Sequence, residues 1–242
     1  MSTDTTLLAC IALPLLAPLL ITALHRWPNP REAVTLLTAT GLCLLVFSLY
    51  GALQEGDPQV ISVAEPVPGL AIAFVLEPLG LLFASLASFL WLVTSVYAIG
   101  YMRHHHEQKQ TSFYSCFAIA LASVMGIAFS ANLFTLFIFY EVLTLSTYPL
   151  VTHAGTQAAR HGGRVYLGYL LGSSVVLLLL ALIWTWSLAG TLDFREGGIL
   201  ADTVTPAMAG VLLALYIFGI GKAAVIPMHL WLPAAMVAPT PV

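Results

Sequence analysis

Seven stretches of this sequence are apolar over a length that can cross a lipid bilayer, which requires about 20 residues of helix. They comprise residues 7–24, 33–53, 78–101, 113–129, 133–151, 165–188 and 206–225, and a further apolar piece, 226–237, continues past a proline. Backbone polar groups inside a bilayer must be paired within the protein, so such segments form helices. The sequence predicts an all-α integral membrane protein, a polytopic bundle of about seven transmembrane helices plus the start of an eighth.

The composition supports one transmembrane domain over residues 1–242 and excludes several other classes of protein. Hydrophobic residues make up 60% of the chain and charged residues 8%, whereas soluble domains carry about 25% charged residues. No basic run is present, which argues against nucleic-acid binding. Three cysteines lie in apolar stretches without ligand-type spacing, so we expect packing residues and neither disulfides nor a metal site.

Cationic residues predict the orientation of the chain. The odd-numbered connections carry Arg26, Arg31, Arg103, Lys109, Arg160 and Arg164, the second connection carries none, and the sixth carries only Arg195. Cytoplasmic loops are enriched in Lys and Arg. We therefore expect a multi-pass protein of the cell's inner (cytoplasmic) membrane with its amino terminus outside. The even-numbered connections carry acids instead: Glu55, Asp57, Glu65, Asp193, Glu196 and Asp202.

Two of the connections have recognisable patterns. The longest polar one, residues 54–77, contains several prolines and Gly69, which is typical of a surface loop or a short extended hairpin. In the third connection, residues 104–106 are three consecutive histidines, which indicate either a metal- or pH-sensitive cluster or a solvated loop at the membrane surface. His153 and His161 are expected at the cytoplasmic interface.

Glu141 stands at the middle of the fifth apolar stretch. A charge at the centre of a spanning helix costs on the order of 2.5–3.5 kcal/mol, so this side chain must face other helices or a water-filled cavity. Thr144 and Tyr148 follow at i+3 and i+7 and share its face, where their hydroxyls could hold water. The pattern indicates an ion path, or alternatively a buried acid that ties helices together.

Lys222 is the second ionisable residue within apolar sequence. Gly219, Gly221 and Pro227 lie within five residues of it. Proline lacks an N–H donor and clashes with the preceding turn, so the seventh helix should be broken near Lys222–Pro227. Transporters place ion sites at broken helices. Lys222 is therefore either an amine that releases a proton near neutral pH or a static partner for an acid on another helix.

His229 follows Lys222 by seven residues and would share its face if the helix continued. Histidine titrates near physiological pH and suits a proton relay. Beside Trp231 it could equally be a core residue that donates to a carbonyl. Both interpretations remain open.

Four further patterns carry a family resemblance: YAIGYM at 97–102, FIFYEVLTLSTYPL at 137–150, GTLDF at 190–194 and GKAAVIPMHLWLPAAMVAPTPV at 221–242. Together they resemble the proton-conducting, antiporter-like subunits shared by respiratory complex I, Mrp-type cation/proton antiporters and membrane-bound hydrogenases. The resemblance runs from about Glu77 to the end of the sequence. It implies that the motif glutamate of the fifth helix and the motif lysine of the broken seventh helix, here Glu141 and Lys222, handle the proton.

The sequence differs from that family in two respects. Family members usually contain two inverted repeats. This sequence corresponds to about the first half of that length. We therefore expect either a split or truncated subunit, or a subunit whose remainder lies outside this chain. Where many relatives have a lysine at the start of the sixth helix, Arg164 is present. Arginine stays protonated, so it can bias a neighbouring site but is a poor proton carrier.

We therefore hypothesise a subunit of a multisubunit membrane complex that forms part of a proton pathway. Glu141 and Lys222 would form a switchable pair: the lysine keeps its proton when the two are close and releases it when they separate. The resemblance implies that electron transfer in a neighbouring module, or counter-movement of Na⁺, drives the separation. Glycine-rich phosphate loops and cysteine clusters are absent from the sequence, so no cofactor is predicted and any redox catalysis would reside in partner chains.

Two alternatives belong to other functional classes. The chain could be a structural or assembly subunit whose charged residues conduct nothing. It could also be a free-standing secondary transporter for an organic solute, with its substrate site at the broken seventh helix.

Overall fold

The computed structural model describes residues 2–55, 59–201 and 203–242. These residues form nine α-helices: α1 (Thr3–Ala23), α2 (Pro28–Glu55), α3 (Pro78–His104), α4 (Gln110–Ala128), α5 (Leu133–Val151), α6 (Gln157–Ser173), α7 (Leu179–Ala189), α8 (Pro206–Gly219) and α9 (Trp231–Ala235). They also form a π-helical segment, Ser174–Leu178, a 3-10 turn, Gly221–Ala223, and two strands, β1 (Ile61–Val67) and β2 (Leu70–Phe74). Asp57 and Asp202, predicted in the acidic connections, lie outside the described residues.

Six helical spans of the described chain are long and apolar enough to cross a membrane. They coincide with the first six predicted stretches, and the last of them, Gln157–Ala189, runs continuously through α6, the π segment and α7. The predicted multi-pass, helical membrane fold is therefore confirmed. The seventh predicted stretch is helical only over α8, whose 14 residues are shorter than the roughly 20 needed to span.

The chain changes direction where the sequence predicted a broken helix. α8 ends at Gly219, and the 3-10 turn that contains Lys222 ends with Ala224 in the left-handed region, at a φ of 51°. Of the predicted eighth apolar piece, only α9 is an α-helix. The predicted break is confirmed, and it begins three residues before Lys222.

The polar connection after α2 contains a β-hairpin, one of its two predicted forms. β1 pairs with β2 in antiparallel register. The Ala73 N–H donates to Thr135 Oγ1 at 2.9 Å, and the Asn132 side chain donates to the Ala71 carbonyl at 2.9 Å. Asn132 also caps α5 by accepting from the Thr135 N–H at 2.7 Å. The hairpin is thereby attached to the beginning of α5.

The main hydrophobic core lies among α1, α2, α3 and α4, and α5 packs against α4. Its fully buried side chains include Leu7, Leu42, Leu81, Met102, Phe113, Met125 and Phe129. Gly126 of α4 allows the close approach of α5, because a Cβ at this position would lie 2.3 Å from the Phe139 ring. This contact fixes the middle of α5 against the core.

A partly buried ion cluster joins the ends of α2, α3 and α4. Glu32 pairs with Arg103 and lies 3.5 Å from Arg31. Arg31 also donates to the Gln110 side chain at 2.6 Å. Arg31 and Glu32 are both buried, although the sequence placed this arginine in a connection. The buried Glu32 carboxylate therefore has cationic partners, as a buried charge requires, and one of them, Arg103, is half-exposed.

The histidines near this end differ in exposure. His104, His105 and His106 are exposed, and the described residues contain no group of three His, Cys, Asp or Glu side chains placed to hold a metal ion. His153 is buried, with Nε2 at 3.6 Å from Glu107 Oε2 and its ring edge-on to Phe113. This contact links the α3–α4 connection to the end of α5.

His153 gives the fold a predicted pH dependence. Burial lowers the pKa of His153 below its usual value of 6.5, and Lys109 adds to this shift while Glu107 opposes it. Since the unfolded chain binds this proton more readily, the free energy of unfolding should fall as pH drops below the usual imidazole range, by at most about 1.4 kcal/mol per pH unit. Thermal unfolding in detergent micelles between about pH 7.5 and 5.5 measures this dependence.

The variant His153→Gln should lose that part of the pH dependence, and His161→Gln should not, because His161 is exposed. An unchanged pH dependence in His153→Gln would show that this imidazole does not contribute to it.

Candidate functional site

Glu141 lies midway along α5, and both of its carboxylate oxygens are buried. Neither oxygen accepts a hydrogen bond from the part of the chain that the structure describes. A carboxylate in this setting is costly to keep charged, because burial removes its hydration and no such hydrogen bond replaces it. The arrangement therefore suits a group that gains and loses a proton when its surroundings change.

Lys222 is bound to α5 by two residues that flank Glu141. Its Nζ donates to Thr144 Oγ1 at 2.5 Å and lies 4.4 Å from the centre of the Tyr140 ring. Its backbone N–H donates to the Tyr140 hydroxyl at 3.1 Å. A cation over an aromatic face contributes up to about 2 kcal/mol when it is shielded from water. The lysine is thus held by neutral groups.

Glu141 and Lys222 are neighbours that do not form an ion pair. The ion pairs within 4.0 Å among the described residues all lie elsewhere. The Glu141 carboxylate and the Lys222 ammonium are nevertheless close enough to attract each other. The structure therefore brings the two predicted residues together, with the Lys222 ammonium on Thr144 and the Glu141 carboxylate free of a direct partner.

The broken end of α8 packs against the π segment. A Cβ on Gly219 would lie 2.6 Å from the Leu178 backbone nitrogen, and one on Gly221 would lie 2.3 Å from Ser173 Oγ. The Gly221 carbonyl, which lies at the break, accepts from Trp231 Nε1 at 2.8 Å. Both predicted glycines are therefore needed for close packing, and Pro227 is exposed in the turn that follows.

Two residues of the site were not predicted from the sequence. Ser174, in the π segment, is buried beside Glu141, and its hydroxyl donates to the Leu170 carbonyl at 2.8 Å. Trp231 satisfies the Gly221 carbonyl, as described above. A serine within an apolar helix and a tryptophan after a break are common features, so neither gave a distinctive signal.

The other predicted residues occupy separate positions. Tyr148 packs its ring against Gly163 of α6, where an added Cβ would lie 3.1 Å from Tyr148 Cε2. Arg164 is exposed and lines a groove of about 410 Å³ on the outside of α6. His229 is half-buried, and its buried Nδ1 forms no hydrogen bond with any residue in the described ranges. Of the two hydroxyls predicted to share the face of Glu141, those of Thr144 and Tyr148, the Thr144 hydroxyl is the one that accepts from the Lys222 ammonium.

The carboxyl-terminal part of the chain matches a known family model. Residues 130–242 match the family described as NADH:quinone oxidoreductase/Mrp antiporter, TM, a segment that contains both Glu141 and Lys222. NADH-quinone oxidoreductase subunit N of Desulforudis audaxviator is 29% identical over 191 residues, which are 78% of this chain and 38% of that protein. Hydrogenase-4 component B of Escherichia coli is 26% identical over 221 residues, which are 91% of this chain and 32% of that protein.

The fold occurs in a solved respiratory membrane complex. A chain of the membrane-bound sulfane sulfur reductase, an archaeal respiratory membrane complex, superposes with a TM-score of 0.84 at 21% identity, over 99% of this chain and 49% of that one. The chain spans about a third of the length of the curated relatives it matches.

The family match and these relatives confirm the predicted resemblance to antiporter-like membrane subunits.

The packing of α8 makes a testable prediction. Replacing Gly219 by Ala should displace α8 from Leu178 and destabilise the protein by roughly 1–3 kcal/mol, as expected of an overpacked contact. Gly210→Ala in the same helix has no atom within 4 Å of the new methyl group, so it should be neutral or stabilising by up to about 1 kcal/mol. Thermal unfolding of the two variants in detergent micelles measures the difference.

Equal unfolding midpoints for the two variants would contradict the close approach of α8 to the π segment. The comparison is matched, because both substitutions add one methyl group to a glycine of α8.

Proposed function

We propose that this chain is a membrane subunit that forms part of a transmembrane proton pathway, with Glu141 and Lys222 as its proton-handling pair. One observation carries the proposal: a buried carboxylate without a hydrogen-bond partner lies beside a lysine that is held by neutral groups at a helix break. Ionisable residues inside the membrane mark ion paths by default. The resemblance to antiporter-like subunits selects the same two residues.

The contact between Lys222 and Thr144 supports a separated state of the proposed pair. Thr144 Oγ1 donates its own proton to the Tyr140 carbonyl at 3.0 Å, so it can only accept from Lys222. A hydroxyl oxygen stabilises an ammonium less than a carboxylate does. In this state the lysine is able to release its proton. Movement of its flexible side chain from Thr144 to Glu141 would close the pair and favour the protonated amine.

Further groups could carry the proton to and from the pair. The Ser174 hydroxyl lies beside Glu141, and the unpaired Nδ1 of His229 is in the segment that follows Lys222. Hydroxyl and imidazole groups can both donate and accept, as a relay requires. Arg164 keeps its charge, so its role would be to bias the site from the exposed face of α6.

The setting of this activity is a larger assembly. The relatives are named as subunits or components of an NADH-quinone oxidoreductase and a hydrogenase, and the structural neighbour belongs to a respiratory membrane complex. We propose other membrane subunits as partners, in the inner membrane and with the amino terminus outside. Electron transfer in a neighbouring subunit, or counter-movement of Na⁺, would supply the energy that separates the pair.

Proton translocation in inverted membrane vesicles tests the proposal. Glu141→Gln and Lys222→Ala should each lower translocation by roughly tenfold or more, because each removes a proton-transfer group. Lys222→Arg keeps the positive charge but cannot release a proton, so it should also fail. Glu65→Gln is the matched control, since it makes the same chemical change at an exposed position of β1.

Native gels check that each variant assembles. If both Glu141→Gln and Lys222→Ala assemble and translocate protons normally, the proposal is contradicted and the chain is a structural subunit. Normal translocation in Lys222→Arg alone would identify Lys222 as a fixed cation.

A further inference from the structure

The groove on the outside of α6 is a second candidate binding site. Its volume of about 410 Å³ is in the range of ligand pockets in proteins. Its lining comprises Arg164, Val165, Gly168, Tyr169, Gly172, Ser173, Val176, Leu177 and Met228. All of these belong to α6 or the π segment except Met228, which lies in the turn after the helix break. Glu141 and Lys222 do not line the groove, so it is separate from the proposed proton site.

Two glycines leave the middle of the groove open and apolar. Gly168 and Gly172 are one turn apart and therefore lie on the same face of α6. Both are exposed, and a Cβ added to either would have no atom within 4 Å. The Ser173 hydroxyl, which also lines the groove, already donates to the Leu170 carbonyl at 3.1 Å. An apolar group can therefore occupy this part of the groove without leaving a polar group unpaired.

The first lining residue along α6 is a cation. Arg164 is exposed, and Arg160, also exposed, precedes it by one turn on the same face. The ion pairs formed within the described ranges include neither of these arginines. The first turn of α6 has no acidic residue, and the amino-terminal end of a helix itself attracts negative charge. This end of the groove therefore suits an anion.

The span that contains the groove places the cation at the membrane surface. Gln157–Ala189 is 33 residues long, or about 50 Å of helix, whereas the hydrocarbon core is about 30 Å thick. One or both ends of the span must therefore reach the headgroup layer. Arg164 directly precedes the apolar stretch at 165–188. Its guanidinium is thus expected at the level of the lipid phosphates.

The length of the groove matches one leaflet of the bilayer. From Arg164 to Leu177 the lining extends about 20 Å along the helix, close to the depth of one leaflet, which is about 15 Å. The next exposed residues of the span include Leu180 and Ile183, which are bulky. The groove therefore begins at the headgroup layer and ends near the middle of the membrane.

We propose that this groove binds an anionic phospholipid, with its phosphate on Arg164 and an acyl chain over Gly168 and Gly172. A guanidinium binds phosphate through two parallel hydrogen bonds, and basic pockets between transmembrane helices bind acidic headgroups. A transmembrane helix of another subunit fits this shape less well, because it would need a contact surface along the whole core of about 30 Å. The bound lipid would join α6 to the turn that contains Met228.

Native mass spectrometry in micelles tests the proposal without measuring proton transport. The full chain, with the partner chains that copurify, is delipidated and titrated with phosphatidylglycerol or with phosphatidylcholine of the same acyl chains. Phosphatidylglycerol should bind more tightly. Arg164→Gln should lower its affinity about fivefold, the effect of one cation near a membrane surface. Arg195→Gln, which removes an exposed arginine outside the groove, is the matched control and should leave the affinity unchanged.

Filling the groove distinguishes the lipid from other occupants. Gly168→Leu should lower the affinity for phosphatidylglycerol at least fivefold, whereas Gly210→Leu, at an equally open glycine of α8, should not. Both glycines are exposed in helices, where leucine is the better helix former. Equal binding of the two lipids, or an affinity unchanged by Arg164→Gln or by Gly168→Leu, would overturn the proposal. Loss of partner chains in Gly168→Leu with lipid binding unchanged would also overturn it and would identify a partner helix as the occupant.

Discussion

The pairing of backbone groups freed at the end of α8 is the constraint on which the rest of the site depends. A helix that stops within a bilayer leaves N–H and C=O groups that water does not reach, and they must be paired inside the protein. Here the Tyr140 hydroxyl accepts from the Lys222 N–H, and the Trp231 indole donates to the Gly221 carbonyl. Because Tyr140 lies next to Glu141 in α5, pairing the backbone also places the lysine beside the acid.

The two acids that are buried among the helices, Glu32 and Glu141, have different surroundings. Glu32 forms ion pairs with Arg31 and Arg103 at the ends of α2 and α3. Glu141 has no such partner, and Lys222 is bound to a neutral hydroxyl. The Glu32 carboxylate is thereby held by residues of two helices, Arg31 of α2 and Arg103 of α3. No described residue holds the Glu141 carboxylate by a hydrogen bond or an ion pair, and the proposed role in proton transfer rests on that difference.

Much of this architecture could be predicted from the sequence. The fifth span was predicted with the same limits as α5 because an apolar run begins after Asn132, whose side chain caps the helix. Glu141 and Lys222 stood out because charges are rare in apolar segments. The break was predicted from glycine and proline, which act locally and need no tertiary information.

Other features depend on tertiary contacts that a single sequence does not reveal. Thr144 and Tyr148 share a helix face, yet the first contacts Lys222 and the second contacts Gly163, because different helices cover successive turns of that face. α8 ends at Gly219, where the chain lies too close to the Leu178 backbone to accept a side chain, a contact that depends on the packing of two distant segments. The π segment could not be predicted from its sequence, because residues 175–178 are all aliphatic and are equally common in α-helices.

That π segment also sets the angular phase of the helix beyond it. A π turn contains one residue more than an α turn, so the side chains that follow are rotated by about 100° relative to an uninterrupted α-helix. In this phase, Thr185 of α7 is buried and meets the Tyr216 hydroxyl of α8 at 2.8 Å. Without the extra residue, Thr185 would face about a quarter of a turn away from Tyr216. The wide turn beside Glu141 thus determines which side of α7 faces α8.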